Sequence, residues 1–120
     1  MQVNLHEATG NQFNSYADHQ VSINQVEYTD NLIVGPTSVE KTSWRSINEL
    51  NLTNLEPLLA HNPDLIIFGT GGKIQYPSSE ILRHLQRKQI GFEVMTIAAL
   101  CRTFNYLSAE GRKVVALILF

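Results

Sequence analysis

The chain has 120 residues, 43% of them hydrophobic and 17% charged, with a formal net charge of -2. That is enough chain for one domain with one core, and slightly little charge for its surface. So small a net negative charge gives no general pull toward phosphate backbones, which argues against nucleic-acid binding.

Cys101 is the single cysteine, so an internal disulfide and a cysteine-based zinc site are excluded, in keeping with a cytoplasmic protein. The opening MQVNLHEATGNQF lacks the basic start and apolar centre of a secretory signal. The longest apolar run, Val114 to Phe120, is too short to span a bilayer.

Val3 and Leu5 alternate with polar residues and predict a short edge strand; the remainder up to position 19 reads as a surface loop. From Gln20 the pattern changes. Val21 and Ile23, then Val26 and Tyr28, then Leu32 to Val34 alternate or cluster between polar turns, predicting an antiparallel meander that Gly35 and Pro36 end. Val39 to Ile47 continues extended and contains Trp44, the sole tryptophan, expected to anchor the meander to the core.

After Leu52 the period becomes helical. Asn54 is the expected N-cap, since Pro57 then falls among the free donors of the first turn. Leu55, Leu58 and Leu59 form the inward face, and Pro63 stops the helix near His61. Leu65 to Phe68 is a continuous apolar run, the pattern of a strand buried on both faces.

A second helix begins near Pro77 and Ser78 and turns Ile81, Leu82 and Leu85 inward, with Gly91 as its C-terminal cap. Phe92 to Met95 is the next buried strand. Thr96 caps a third helix whose stripe is Ile97, Leu100, Cys101, Phe104 and Leu107; Gly111 ends it, and Lys113 to Phe120 is the last strand. The order implies one α/β domain over residues 1–120: a parallel or mixed central sheet, three helices and an amino-terminal antiparallel meander.

Two places could carry chemistry. Gly69, Thr70, Gly71, Gly72 and Lys73 follow a buried strand, where backbone N–H groups can form an anion nest. The spacing fits neither a Walker loop nor a dinucleotide fingerprint. If the flanking strands are parallel neighbours, this loop and Thr96 meet at the carboxyl edge of the sheet, where a small phosphate or carboxylate would bind. The other reading is a sharp turn that lets backbones approach closely. Cys101 lies on an apolar stripe, so its thiol is expected to be buried and inert. The four histidines show no metal-binding spacing, and no cofactor is implied.

The second place is the other face of the third helix: Ala98, Ala99, Arg102, Asn105, Tyr106 and Ala109. Arg102 and Glu110 are the only charges along the helix, fewer than a solvated face normally carries. Either the meander covers this face or a partner does; the first is favoured, and covered charges would then be paired.

The run Cys101-Arg102-Thr103-Phe104-Asn105, Leu107, Glu110-Gly111-Arg112-Lys113-Val114 resembles the C-R-T-[YF]-N-x-L-x-x-E-G-R-x-V signature of the Mth-type domain family. LIIFGTG at 65–71 and LIVGP at 32–36, with Trp44 beyond, resemble the same family. Leu100 stands where the family usually has alanine, and the final strand is less alanine-rich.

The resemblance implies a small α/β domain with an added β layer. It carries no established catalytic activity, only motif positions without assigned roles. The family includes many proteins of unknown function, a mitochondrial assembly factor of NADH:ubiquinone oxidoreductase and an adipogenesis-associated vertebrate protein. The reading favoured is a non-catalytic protein-interaction or assembly-factor-like domain with a protein partner, linked to complex I assembly. The alternative is an anionic-ligand binding domain or minor enzyme using the Gly69–Lys73 loop. A homo-oligomer stays open.

Overall fold

The computed structural model describes residues 10–120. Five strands form the main sheet in the order β5-β4-β8-β6-β7: β4 (Leu32–Val34), β5 (Val39–Lys41), β6 (Leu65–Thr70), β7 (Gly91–Thr96) and β8 (Val114–Leu119). β6 runs parallel to β7 and β8, whereas β4 is antiparallel to β5 and β8. The sheet is mixed.

β1 (Phe13–Ala17), β2 (Gln20–Ile23) and β3 (Val26–Tyr28) make a separate antiparallel sheet. Three helices follow: α1 (Glu56–Leu59), α2 (Ser79–Arg87) and α3 (Ile97–Ala109).

The layering follows from period two. Leu65, Ile67, Val114, Ala116 and Ile118 point to one face, where α3 and the small sheet pack. Ile66, Phe68, Val115, Leu117 and Leu119 point to the other, under α1, α2 and the loop bearing Trp44. The chain steps outward from β6 to β7 through α2, then back past β6 to β8 through α3. Crossovers of one hand in opposite directions put the two helices on opposite faces, and Ile81 with Leu85 do lie in one cluster while Leu100 with Phe104 lie in the other.

Several expectations change. The strand expected at Val3 and Leu5 lies outside the described residues. The surface loop expected up to position 19 contains β1, which a bulge between Phe13 and Ser15 had hidden by breaking the alternation. The meander divides: β2 and β3 pair in the small sheet, but Leu32–Val34 leaves it for the main one, buried on both faces. Beyond Lys41 the chain is irregular, and Ile47–Glu49 is a single 3-10 turn.

Asn54 does not cap α1. Leu55 holds that place, while the Asn54 carboxamide accepts from Asn51 N–H and donates to the Glu49 carbonyl, tying up the preceding loop. Gly91 is the first residue of β7; the stop of α2 falls to Gln89 at φ 61, with Ile90 N–H bonding the Leu85 carbonyl. β7 itself is an edge strand in which Phe92, Val94 and Met95 are half-buried and Glu93 is exposed, so the buried strand expected at 92–95 is only partly covered.

Candidate functional site

α3 is built as the sequence suggested. The Thr96 hydroxyl accepts from Ala99 N–H at 3.2 Å, capping the first turn. Ile97, Leu100, Cys101 and Phe104 are buried on the sheet side. At the other end Gly111, at φ 85, closes a Schellman motif: Gly111 N–H bonds the Ser108 carbonyl and Arg112 N–H the Leu107 carbonyl. The Glu110-Gly111-Arg112 part of the signature therefore includes a helix stop, with Glu110 and Arg112 both exposed.

The remaining signature residues separate by direction. The Phe104 ring meets Phe13 of β1 edge-on, centroids 5.2 Å apart at 82°. One residue on, Asn105 reaches the same strand. Its Oδ1 accepts from Phe13 N–H at 2.8 Å and its Nδ2 donates to the Phe13 carbonyl at 2.8 Å. The small sheet thus covers part of α3, as expected of an internal cover. It does not cover Arg102 or Tyr106. Both are exposed, Tyr106 at 66%, so the expectation that Arg102 and Glu110 would be buried and paired is corrected. Thr103 is half-buried.

Between β1 and α3 the covering stops short and leaves an open groove of about 290 Å³. Phe13, Asn14, Ser15 and Tyr16 form one wall, and Ala98, Cys101, Arg102 and Asn105 the other. The Cys101 side of the groove is its dry part. The residue is 7% exposed, and burial pushes the thiol from 9.0 up to about 11 against the opposing pull of the Arg102 charge. At neutral pH the group is a protonated thiol, a poor nucleophile. The four β1 residues were absent from the sequence-based candidates because the bulge obscured their strand.

The glycine loop lies elsewhere on the sheet edge. Thr70 and Thr96 are register partners on adjacent parallel strands, so the Gly71–Lys73 segment does lie beside the start of α3. Gly69 and Thr70 belong to β6 itself. The Thr70 hydroxyl donates to the Lys73 carbonyl and accepts from Gln75 N–H at 3.1 Å. Gly71 N–H donates to the Leu119 carbonyl at 2.8 Å, and Lys73 N–H bonds the Gly71 carbonyl. A Cβ on Gly71 would lie 2.5 Å from the Phe120 carbonyl oxygen, so close backbone approach alone requires glycine there. Gly72 and Lys73 are exposed.

A larger depression, about 440 Å³, opens at the amino ends of β6 and β7 between Leu59, Asn62, Pro63, Lys88 and Ile90. It contains no signature residue. The β1–α3 groove does, and it is the better candidate.

A family model described as "Protein of unknown function (DUF498/DUF598)" matches residues 13–119. The chain is 29% identical over 109 residues to the "13 kDa major membrane protein" of Francisella tularensis subsp. holarctica, covering 89% of each. It is 31% identical over 100 residues to NADH dehydrogenase (ubiquinone) 1 alpha subcomplex assembly factor 3 of Drosophila melanogaster; the match takes in 75% of this chain and 50% of the relative, so the chain spans about half that relative's length. The fold is also that of a Bordetella pertussis protein described as a Mth938-like domain, with a TM-score of 0.75, 22% identity and coverage of 99% of this chain and 90% of that one. Among the described residues no helix is long and apolar enough to cross a membrane.

Proposed function

The chain belongs to the DUF498/DUF598 family of proteins of unknown function, and on that footing we propose that it is a non-catalytic protein-interaction domain that assists assembly of a respiratory complex. It would act from the cytoplasmic side, and the partner would dock on α3 at Arg102 and Tyr106 and on the adjoining groove.

The observation that carries this reading is the exposure of the signature residue Arg102, and of Tyr106 one turn along the same helix, while Cys101 and Phe104 go to the core, Asn105 to the Phe13 clamp and Gly111 to the helix stop. Arginine and tyrosine are the residue types enriched at interface anchors. Similarity to a complex I assembly factor supplies the class of partner by analogy.

The test is complementation of cells deleted for this chain, read as the amount of assembled NADH dehydrogenase on native gels. Partly assembled subcomplexes should accumulate without the chain. Wild type should clear them, and a folded Arg102→Glu, Tyr106→Ala double variant should not. Normal assembly in the deletion, or full rescue by the double variant, overturns the reading.

A second reading keeps a small anion at Gly69–Lys73 with Thr96, favoured by the Thr70–Thr96 register that puts the loop beside α3. Its support is thinner, because the Gly71 and Lys73 amides already bond carbonyls. A thermal shift with anionic metabolites, abolished by Lys73→Ala, would revive it.

A further inference from the structure

The register of the small sheet shows which main-chain groups of β1 face the groove. Asn24 N–H bonds the Gln12 carbonyl at 2.9 Å, so Phe13 opposite Ile23 is a pair that does not bond across, and its N–H and C=O turn outward. That is where the Asn105 carboxamide takes both.

Beyond the bulge the pairs resume as Ser15 with Ser22, Tyr16 with Val21 and Ala17 with Gln20. Ala17 and Gln20 flank the two-residue turn at Asp18 and His19, so they bond to each other and the Tyr16–Val21 pair does not. Val21 instead bonds on its other side, to Tyr28 of β3. The N–H and C=O of Tyr16 therefore face outward into the groove, and among the described residues nothing pairs with them.

On the helix wall facing Tyr16 stand Ala98, the smallest side chain lining the groove, and Arg102. None of the groove's residues is acidic, and among the described residues Arg102 is in no ion pair. Asn105 shows what chemistry suits this edge, since a carboxamide is a peptide group in miniature, one acceptor and one donor held side by side.

Resting on the interaction reading above, we propose that the β1–α3 groove takes a short extended segment of the partner polypeptide bearing an acidic side chain. A peptide unit of that segment pairs with the outward N–H and C=O of Tyr16, and the carboxylate meets the Arg102 guanidinium. This is strand addition to an exposed edge, in which main-chain bonds give affinity and a flanking charge gives selectivity.

The experiment titrates the full chain, labelled with nitrogen-15, with three end-blocked pentapeptides: Val-Thr-Glu-Thr-Val and its Gln and Lys counterparts at the centre. The Glu peptide should shift the Tyr16 amide and the Arg102 side chain and slow exchange of the Tyr16 amide about 10-fold. It should bind about 5-fold more tightly than the Gln peptide, a gap closed by Arg102→Gln and by high salt. Ala98→Leu, which narrows the groove while leaving both binding groups in place, should abolish the shifts with the unfolding midpoint unchanged.

Absence of Tyr16 shifts up to about 5 mM peptide, shifts located elsewhere, or equal binding of the Glu and Lys peptides overturns the proposal. Broadening of Tyr16 that grows with protein concentration alone overturns it too, since β1 of a second copy would then be the occupant. The two readings fail separately. Should complementation stay sensitive to Arg102 and Tyr106 while the peptides do not bind, the partner docks there by another mode; should the peptides bind while assembly is normal in the deletion, the groove remains and the assembly role falls.

Discussion

Asn105 holds both main-chain groups of Phe13, 92 residues away in sequence, through two hydrogen bonds of 2.8 Å. The carboxamide fills the place a neighbouring strand would take, at the point where β1 leaves its pairing with β2 to form a bulge. Asn105→Ala strands a partly buried N–H and C=O, which should cost about 1–3 kcal/mol in urea unfolding. Asn105→Asp should be no better at neutral pH, because the lost donor is replaced by an oxygen facing the Phe13 carbonyl. In both variants the Phe13 amide should exchange faster, and an unchanged rate would show that the clamp contributes nothing.

Glycine at 69 and at 71 is needed for different reasons, and alanine should separate them. At Gly71 the new Cβ meets backbone, the Phe120 carbonyl at 2.5 Å; at Gly69 it meets the Leu100 Cδ1 at 2.6 Å. A side chain can rotate where a strand cannot. Gly69→Ala should lie at the low end of the overpacking range of about 1–3 kcal/mol and Gly71→Ala at or above its top. Equal unfolding midpoints would contradict this ordering.

The Cys101 thiol gives stability a dependence on alkaline pH. Below 9.0 it is protonated in folded and unfolded chains alike. Between 9.0 and about 11 the unfolded chain releases a proton that the folded chain retains, so stability falls as pH rises. Urea midpoints on either side of pH 9.0 should decline more steeply for wild type than for Cys101→Ala. Parallel slopes would mean the thiol is not held in a dry site. For the same reason iodoacetamide should label the native protein slowly at neutral pH and the unfolded protein readily.

Arg102→Ala and Tyr106→Ala should leave the unfolding midpoint almost unmoved, within about 0.5 kcal/mol, since both side chains are exposed. A larger loss would place them in the fold itself and remove the reason for treating that face as a docking surface.

Buried apolar runs were the legible part of the sequence. Leu65 to Phe68 and Val114 to Phe120 read directly as central strands, because burial on both faces leaves no polar position to confuse the pattern. Capping of α3 by Thr96 and its stop at Gly111 were equally plain, each resting on a local backbone need. Phe13 to Ala17 was not readable, as one bulged residue shifts the alternation by a position. Asn54 misled because its side chain serves Glu49 and Asn51 instead of a helix start, a choice between two local geometries that spacing does not distinguish. The groove follows from both limits. One wall is a helix that could be foreseen, and the other is a strand that could not.

β8 sits between β4 and β6 and, among the described residues, is the only strand that touches both. It also comes after every other strand in the chain. During synthesis, β4 with β5 and β6 with β7 can form only as separate halves, each exposing a row of unpaired N–H and C=O groups along what will become the middle of the sheet. Closure of the sheet waits for residues 114–119 to leave the ribosome. The halves that wait are open-edged and apolar, which makes that interval the time when the chain most needs protection from other nascent chains.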